Sequence, residues 1–214
     1  MDNKEVFNTI NEIRNMMEKS SKILTLSGIS AIFVGVYACI AAAVAYYITG
    51  GTCCFFAKIP ALYLDTHQKL RILWLVATLL IILCLATVFI LSYRKAKRNN
   101  KRFVFDRTAR RLLWYFFLPL VVGGVLCLAF IMQDNYAPLV AFMLIFYGTA
   151  LINVSGYTYS NTRYLGYAEI LLGFVNCFME THHLLCWTLG FGVFHIIYGI
   201  LFYLKYDRRK VDNT

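Results

Sequence analysis

Apolar and polar residues follow each other along this chain in long blocks. Six blocks are apolar, and each has about the length that a helix needs to cross the hydrocarbon core of a bilayer. They occupy about 23–48, 70–93, 112–132, 138–154, 163–180 and 184–204. The pattern predicts an all-α fold, a polytopic membrane protein in which residues 23–205 form a bundle of six transmembrane helices.

The two ends of the chain are polar. Residues 1–22 have a faint helical period, with apolar positions on one face. They are interpreted either as a helix lying on the cytoplasmic membrane surface or as a solvated extension of the first membrane helix. Residues 206–214 form a short basic tail, which we expect to be cytoplasmic.

Small and helix-breaking residues suggest how the helices pack. Helix 1 has a four-residue repeat of small side chains, which would let another backbone approach closely and make this helix central: Ser27, Ala31, Gly35, Cys39 and Ala43. Helix 2 is nearly uniform Leu and Ile, which indicates a peripheral helix facing lipid. Helix 3 contains Pro119 and Gly123-Gly124, which predict a kink or a tight crossing.

Composition and charge agree with a membrane protein and set its orientation. The chain is 60% hydrophobic, yet its formal net charge is +10. Of its 21 Lys and Arg residues, 18 lie in the N-terminal segment, in the loops after helices 2 and 4, and in the tail. Because cytoplasmic segments carry the excess of basic residues, both termini are predicted to be cytoplasmic. No recognised nucleic-acid-binding motif accompanies the charge, so no nucleic acid partner is expected.

Helix 5 carries an acidic residue, Glu169, well inside its apolar sequence. At helical spacing this residue shares one face with four other small or polar residues, which we call the polar stripe: Gly166, Gly173, Asn176 and Glu180. A carboxyl group costs several kcal/mol against lipid by most scales, and intramembrane acids mark functional sites. We therefore expect the polar stripe to face protein or a water-filled cavity.

Three further polar residues belong to the neighbouring helices. If helices 4, 5 and 6 pack together, Asn153, Glu169 and His195 can line one cytoplasm-facing pocket, with Tyr147, Tyr167 and Tyr198 nearby. The candidate ligand-binding or proton-coupling residues are Glu169, His195, Asn153, Asn176, Tyr167 and Tyr198. Each has a structural alternative. Glu169 can pair with a basic residue such as Arg163, His195 can be a hydrogen-bonded packing residue, and the asparagines can bond between helices.

The sequence assigns no catalytic residue, cofactor or metal. It lacks the H-E-x-x-H, G-x-S-x-G and P-loop motifs. Its seven cysteines have no zinc or disulfide spacing, and His195 with Glu169 provides too few metal ligands. Enzymatic activity is therefore not the favoured reading.

Several stretches resemble a family of bacterial six-helix integral membrane proteins of unknown function: IRNMMEKSSKILTLSG (13–28), RKAKRNN (94–100), ARRLLWYFFLPLVVGG (109–124), IFYGTALINVSGYT (145–158), RYLGYAEILLG (163–173) and LGFGVFHIIYGI (189–200). The resemblance covers most of the chain. It implies a location in the bacterial cytoplasmic membrane, but it implies no activity and no site residues.

Two functions fit these expectations. In the first, a pocket of helices 4–6 binds a small or lipidic ligand, and the protein acts as a sensor or binds a partner. In the second, protonation of Glu169 drives a proton-coupled transporter of small molecules. The basic loop 94–111 can contact anionic membrane lipid or a cytoplasmic protein, or it can serve topology alone. The sequence assigns neither the ligand nor an oligomeric state.

Overall fold

The computed structural model describes residues 28–49, 65–98, 107–158 and 162–207, and within these ranges the chain is helical with no strand. The first five helices are α1 (Gly28–Thr49), α2 (Thr66–Arg98), α3 (Arg107–Ile131), α4 (Leu139–Val154) and α5 (Thr162–Cys177). A sixth, α6, covers 183–207. The predicted N-terminal helix 1–22, most of loop 49–69, part of the basic loop 94–111 and the end of the tail lie outside the described residues.

Helix α6 changes its hydrogen-bonding pattern along its length. It begins as an α-helix at His183–Trp187, continues as a π-helix at Thr188–Phe194, returns to an α-helix at His195–Phe202 and ends as a π-helix at Tyr203–Asp207. Short π-helical segments inside α-helices occur frequently at functional sites. The first π-helical segment ends immediately before His195, one of the predicted site residues.

Four described helices are long and apolar enough to cross a membrane: Gly28–Thr49, His67–Arg94, Arg110–Ile131 and His183–Lys205. Helix α4 is a shorter apolar helix, and α5 is equally short and contains Glu169. The span in α2 is only 6% buried, against 33% for α1. The sequence-based prediction of a peripheral helix 2 and a more central helix 1 is therefore confirmed.

Helices α1 and α6 pack as one antiparallel pair through glycines. A β-carbon at Gly28 would lie 2.6 Å from the carbonyl oxygen of Gly199, and one at Gly35 would lie 2.6 Å from that of Gly192. Gly28, Gly35 and Ala42, seven residues apart, are buried, and so are Ser30 and Ala38. Of the predicted four-residue repeat, Gly35 is buried, Ala31 and Cys39 are half-buried and Ala43 is exposed. Because a helix has 3.6 residues per turn, a four-residue repeat drifts around the helix faster than a seven-residue one.

Helices α4 and α5 form a second antiparallel pair with the same kind of contact. A β-carbon at Gly148 would lie 2.6 Å from the carbonyl oxygen of Gly166, and a β-carbon at Gly166 would lie 2.7 Å from that of Gly148. Farther along, Gly173 approaches Ala141 and Ile145. Two backbones that approach this closely gain van der Waals contact along their length, which is how membrane helices associate without a hydrophobic driving force.

Helix α3 crosses α4 at Gly123, where a β-carbon would lie 2.6 Å from the side chain of Phe146. The tight crossing predicted from Gly123-Gly124 is present, with only the first of the two glycines in the contact. The two antiparallel pairs meet where α6 packs on α4 and α5. Glu169, Tyr147 and His195 lie at this junction, so the fold brings together polar residues from three helices.

Candidate functional site

The predicted polar stripe of α5 faces the protein interior. Its first four members, Gly166, Glu169, Gly173 and Asn176, are all buried, whereas Glu180 lies beyond the end of the helix and is exposed. Glu169 has no exposed surface. The expectation that this carboxyl group is sheltered from lipid by neighbouring helices is therefore confirmed.

Glu169 fits against a glycine of the π-helical segment. A β-carbon at Gly190 would lie 2.5 Å from Oε2 of Glu169 and 2.5 Å from a methyl group of Leu144. Any larger side chain at position 190 would occupy the space of the carboxyl group. The glycine therefore creates the room in which a glutamate can be enclosed between α4, α5 and α6.

His195 connects the π-helical segment to α4. Its Nδ1 lies 3.0 Å from the carbonyl oxygen of Gly190, and its Nε2 lies 2.7 Å from the hydroxyl oxygen of Tyr147. The imidazole also packs among aromatic rings, parallel to Phe191 and 5.4 Å from the ring of Tyr147. Both ring nitrogens are engaged, so the orientation of the imidazole is fixed.

The partners of His195 determine where its protons lie. A carbonyl oxygen only accepts hydrogen bonds, so Nδ1 carries a hydrogen and donates it to Gly190. In the neutral ring Nε2 is then the acceptor, and Tyr147 donates its hydroxyl hydrogen to it. If Nε2 also binds a proton, it becomes the donor, and the hydroxyl hydrogen of Tyr147 is released to point elsewhere. The role of Tyr147 thus depends on the charge of His195.

Glu169 and His195 lie beside each other without a formed hydrogen bond. Oε1 of Glu169 is 3.5 Å from Nδ1 of His195, beyond the usual range of about 2.7–3.2 Å. Neither carboxyl oxygen accepts a hydrogen bond from any residue that the structure describes. Buried polar groups without partners are rare in proteins and occur at functional sites or where an unseen ligand binds.

A cavity of about 100 Å³ adjoins this cluster at the junction of the two helix pairs. Most of its wall is apolar, but four polar side chains of α4, α5 and α6 also reach it. The lining residues are Ser30, Ala31, Val34, Val88, Tyr147, Leu151, Thr162, Leu165, His195, Tyr198 and Phe202. Five of the six helices contribute lining residues, so the cavity is formed by more helices than the pocket of helices 4–6 that the sequence predicted.

Three hydroxyl side chains form a second polar cluster beside the cavity. The Tyr198 hydroxyl lies 3.0 Å from Oγ1 of Thr162, which accepts a hydrogen bond of 3.3 Å from Thr158. Both threonines are buried: Thr162 begins α5, and Thr158 lies just after α4. The cavity therefore offers two separate polar contacts, Tyr147 with His195 and Tyr198 with Thr162.

The predicted site residues separate into groups. Glu169, His195 and Tyr198 lie at or beside the cavity, together with Tyr147. Asn153 and Tyr167 have exposed side chains, because each lies across its helix from the buried face. The structure therefore does not bring these two into the pocket that the sequence predicted.

Asn176 belongs to a different contact. It is buried, and its Oδ1 lies 3.2 Å from Nδ1 of His183. The seven positions from Glu169 to Asn176 correspond to about 10 Å along the helix at 1.5 Å per residue. His183 begins α6 and contacts this asparagine. The asparagine therefore ties α5 to α6 away from the cavity.

Sequence reasoning missed Gly190, Thr162 and Ser30. Glycine and hydroxyl residues are common in membrane helices, and only the position of a partner helix gives these three a role. Within the described ranges, no three His, Cys, Asp or Glu residues are grouped so that they could hold a metal ion.

Comparisons with known proteins identify no relative of this chain. A scan against protein-family models, a search of curated proteins and a search of solved structures each find no match to the chain. The resemblance to bacterial six-helix membrane proteins stays a prediction, and the functional argument rests on the geometry of the site.

Proposed function

We propose that this protein is a six-span protein of the bacterial cytoplasmic membrane that binds a small or lipidic ligand in the cavity and acts as a sensor or partner-binding protein. The observation that carries the proposal is the cavity of about 100 Å³ between the two helix pairs, where hydroxyl groups and an imidazole interrupt apolar walls. Ligand sites in proteins have this character, mostly apolar with a few placed polar groups.

The cavity limits the size and chemistry of its ligand. An apolar cavity of about 150 Å³ accommodates benzene, so about 100 Å³ suits a smaller molecule or one segment of a longer lipid. Leu151, Leu165 and Phe202 offer apolar contact, whereas Tyr147 offers a hydrogen bond. The ligand is therefore a small amphiphile, with one hydrogen-bonding group and a short apolar part.

Helix lengths and directions support the six-span arrangement. Helices α4 and α5 have 16 residues each, about 24 Å at 1.5 Å per residue, against a hydrocarbon core of about 30 Å. Short helices of this kind are accommodated by local thinning of the bilayer. The antiparallel packing of α1 on α6 fits an even number of crossings, and the distribution of basic residues favours cytoplasmic termini.

Filling the cavity is expected to abolish ligand binding. Ala31 lines the cavity on α1, so an Ala31→Leu variant places three more carbon atoms inside it. Ala43, on the exposed side of the same helix, provides the matched control Ala43→Leu. Purified protein in nanodiscs is titrated with butan-1-ol, butanoate and butylammonium, which share a tail and differ in head group, with saturation-transfer NMR as the readout.

The expected result is saturable binding of at least one probe to wild type and Ala43→Leu, with loss of at least tenfold in affinity in Ala31→Leu, about 1.4 kcal/mol. Native mass spectrometry of each protein then identifies what copurifies in the cavity. Equal binding by both variants would show that the probes bind outside the cavity, and the proposed site would be abandoned.

Proton-coupled transport is a second candidate function, favoured by one further observation. Glu169, His195 and Tyr147 lie next to one another as exchangeable groups, and Tyr147 and His195 line a cavity between two closely packed helix pairs. Transporters place their sites between bundles that rock against each other, and intramembrane acids serve as their proton carriers.

For this alternative, the Glu169→Gln variant is expected to lose a proton flux that wild type displays in proteoliposomes. The amide keeps the size of the carboxyl group but cannot take up the proton. The vesicles contain a pH-sensitive dye, and butanoate or butylammonium is added outside under a membrane potential. Equal fluxes in wild type and Glu169→Gln would exclude Glu169 as the coupling group.

A further inference from the structure

We propose that His195 relays a proton between the cavity and Glu169, so that ligand binding is coupled to protonation of this buried carboxyl group. The inference rests on the proposed ligand site and adds its regulation. It assigns three roles: Tyr147 is the entry at the cavity wall, His195 is the carrier, and Glu169 is the store.

The geometry places the three groups in order. Tyr147 and His195 both line the cavity, and the Tyr147 hydroxyl is 2.7 Å from Nε2 of His195. On the far side of the imidazole, Nδ1 faces Oε1 of Glu169 at 3.5 Å. A movement of about half an ångström brings this pair into hydrogen-bond distance, and proton-transfer contacts are often longer before the reactive complex forms.

The carboxyl group is the natural end of the relay because the structure gives it no other described partner. Both of its oxygens lack hydrogen bonds, and no described lysine or arginine forms an ion pair with it. His195, by contrast, holds both of its nitrogens in hydrogen bonds that can exchange their hydrogens. A proton arriving at the ring from the cavity thus has one unoccupied base beyond it.

The transfer balances as follows. An acid in the cavity, either a protonated ligand group or a hydronium ion, gives a proton to the Tyr147 oxygen, which passes its own hydrogen to Nε2. The Nδ1–H bond of His195 breaks, and an O–H bond forms at Oε1 of Glu169. One proton has then left the cavity, the carboxylate has lost its negative charge, and the neutral ring carries its hydrogen on Nε2. The reverse sequence returns the proton to the cavity.

Other titratable groups face the relay from the surrounding helices. Cys84 of α2 and Tyr198 of α6 lie within electrostatic range of Tyr147, and Tyr147 itself is the group that α4 turns toward the glutamate. Tyr147 is the described hydrogen-bond partner of Nε2 of His195, so removal of its hydroxyl oxygen takes away the proposed entry.

The test measures the proton itself and needs no ligand. Infrared difference spectra of wild type in nanodiscs identify the protonated carboxyl band that Glu169→Gln removes, and transfer to heavy water gives its exchange rate. The Tyr147→Phe variant, which lacks only the hydroxyl, is expected to slow this exchange at least about tenfold. Tyr164→Phe, an exposed position on α5, serves as the matched control and is expected to exchange at the wild-type rate.

A Tyr147→Phe protein that exchanges as fast as wild type would overturn the relay, as would the absence of any band that Glu169→Gln removes. A second measurement uses wild type alone, with nitrogen-15 in its histidines. As the carboxyl band grows on acidification, the His195 ring is expected to shift its hydrogen from Nδ1 to Nε2, and a ring that keeps Nδ1–H would overturn the proposal. Failure of butan-1-ol, butanoate and butylammonium to bind would argue against the proposed ligand site. Unaltered hydrogen exchange in Tyr147→Phe would argue only against the relay.

Discussion

A Gly148→Ala substitution is expected to destabilise the protein by about 3 kcal/mol, because the added methyl group meets backbone atoms, which cannot rotate away, as well as the side chain of Ile170. The new β-carbon would lie 2.6 Å from the carbonyl oxygen of Gly166 and 3.0 Å from the backbone nitrogen of Ile170. Relief requires α4 and α5 to move apart along the contact that joins them. Since α5 carries Glu169, the separation would also loosen the packing of the carboxyl group against Gly190.

The control is Gly124→Ala, on α3, where a β-carbon meets nothing within 4 Å. Alanine is the better helix former by about 1 kcal/mol, so this variant is expected to be as stable as wild type or slightly more stable. Thermal unfolding in detergent, followed by circular dichroism, gives the two midpoints. A Gly148→Ala midpoint at or above that of Gly124→Ala would mean that the α4–α5 contact is not close enough to matter.

The helices were predictable because the membrane imposes simple rules. Apolar blocks of sufficient length predicted all six described helices, since a backbone in hydrocarbon has to satisfy its hydrogen bonds within each segment. The peripheral position of α2 followed from its uniform Leu and Ile side chains. The pairing of α1 with α6 did not follow, because a face of small residues indicates close packing without naming the partner.

The part of the site on α5 was predictable from the sequence, but its contact with α6 was not. The cost of a carboxyl group in lipid was sufficient to turn Glu169 inward, and helical periodicity placed Gly166, Gly173 and Asn176 beside it. Its contact with His195 depended on the register between α5 and α6, which the sequence does not give. The structure places Oε1 of Glu169 3.5 Å from Nδ1 of His195.

The π-helical segment of α6 was also not predictable from the sequence. In a π-helix each turn holds more residues than in an α-helix, so side chains beyond it are rotated and shifted along the axis. The segment Thr188–Phe194 comes directly before His195, and its Gly190 supplies both the carbonyl that holds the imidazole and the space for the carboxyl group. No periodicity in the sequence marks this change, because both helix types use the same apolar residues.

The arrangement places close packing and the proposed chemistry in different parts of the molecule. Glycine contacts join each antiparallel pair backbone to backbone, whereas the junction between the pairs contains a cavity, hydroxyl groups and carboxyl oxygens that have no hydrogen-bond partner among the described residues. Interactions at the junction are therefore the ones that a ligand or a proton can change without unfolding either pair.

A Glu169→Leu variant is expected to be more stable than wild type by on the order of 1–3 kcal/mol and to lose proton uptake at the site. Neither oxygen of the glutamate has a described hydrogen-bond partner, and a buried polar group without a partner costs about this much. Leucine removes that cost and preserves most of the volume beside Gly190 and Leu144. Glu169→Gln, which retains an unpartnered buried polar group, is expected to gain no stability.

The measurement combines thermal unfolding in detergent with the titration of butan-1-ol, butanoate and butylammonium at two pH values. Wild type is expected to bind a probe with a pH-dependent affinity, because binding and protonation of Glu169 are linked, whereas Glu169→Leu is expected to bind with the same affinity at both. Gain of stability with loss of pH dependence is the pattern of a residue kept for function at a cost to the fold. A Glu169→Leu protein that is more stable and keeps wild-type pH dependence would instead assign the glutamate no part in the site, and a less stable one would mean that the carboxyl group has a structural partner after all.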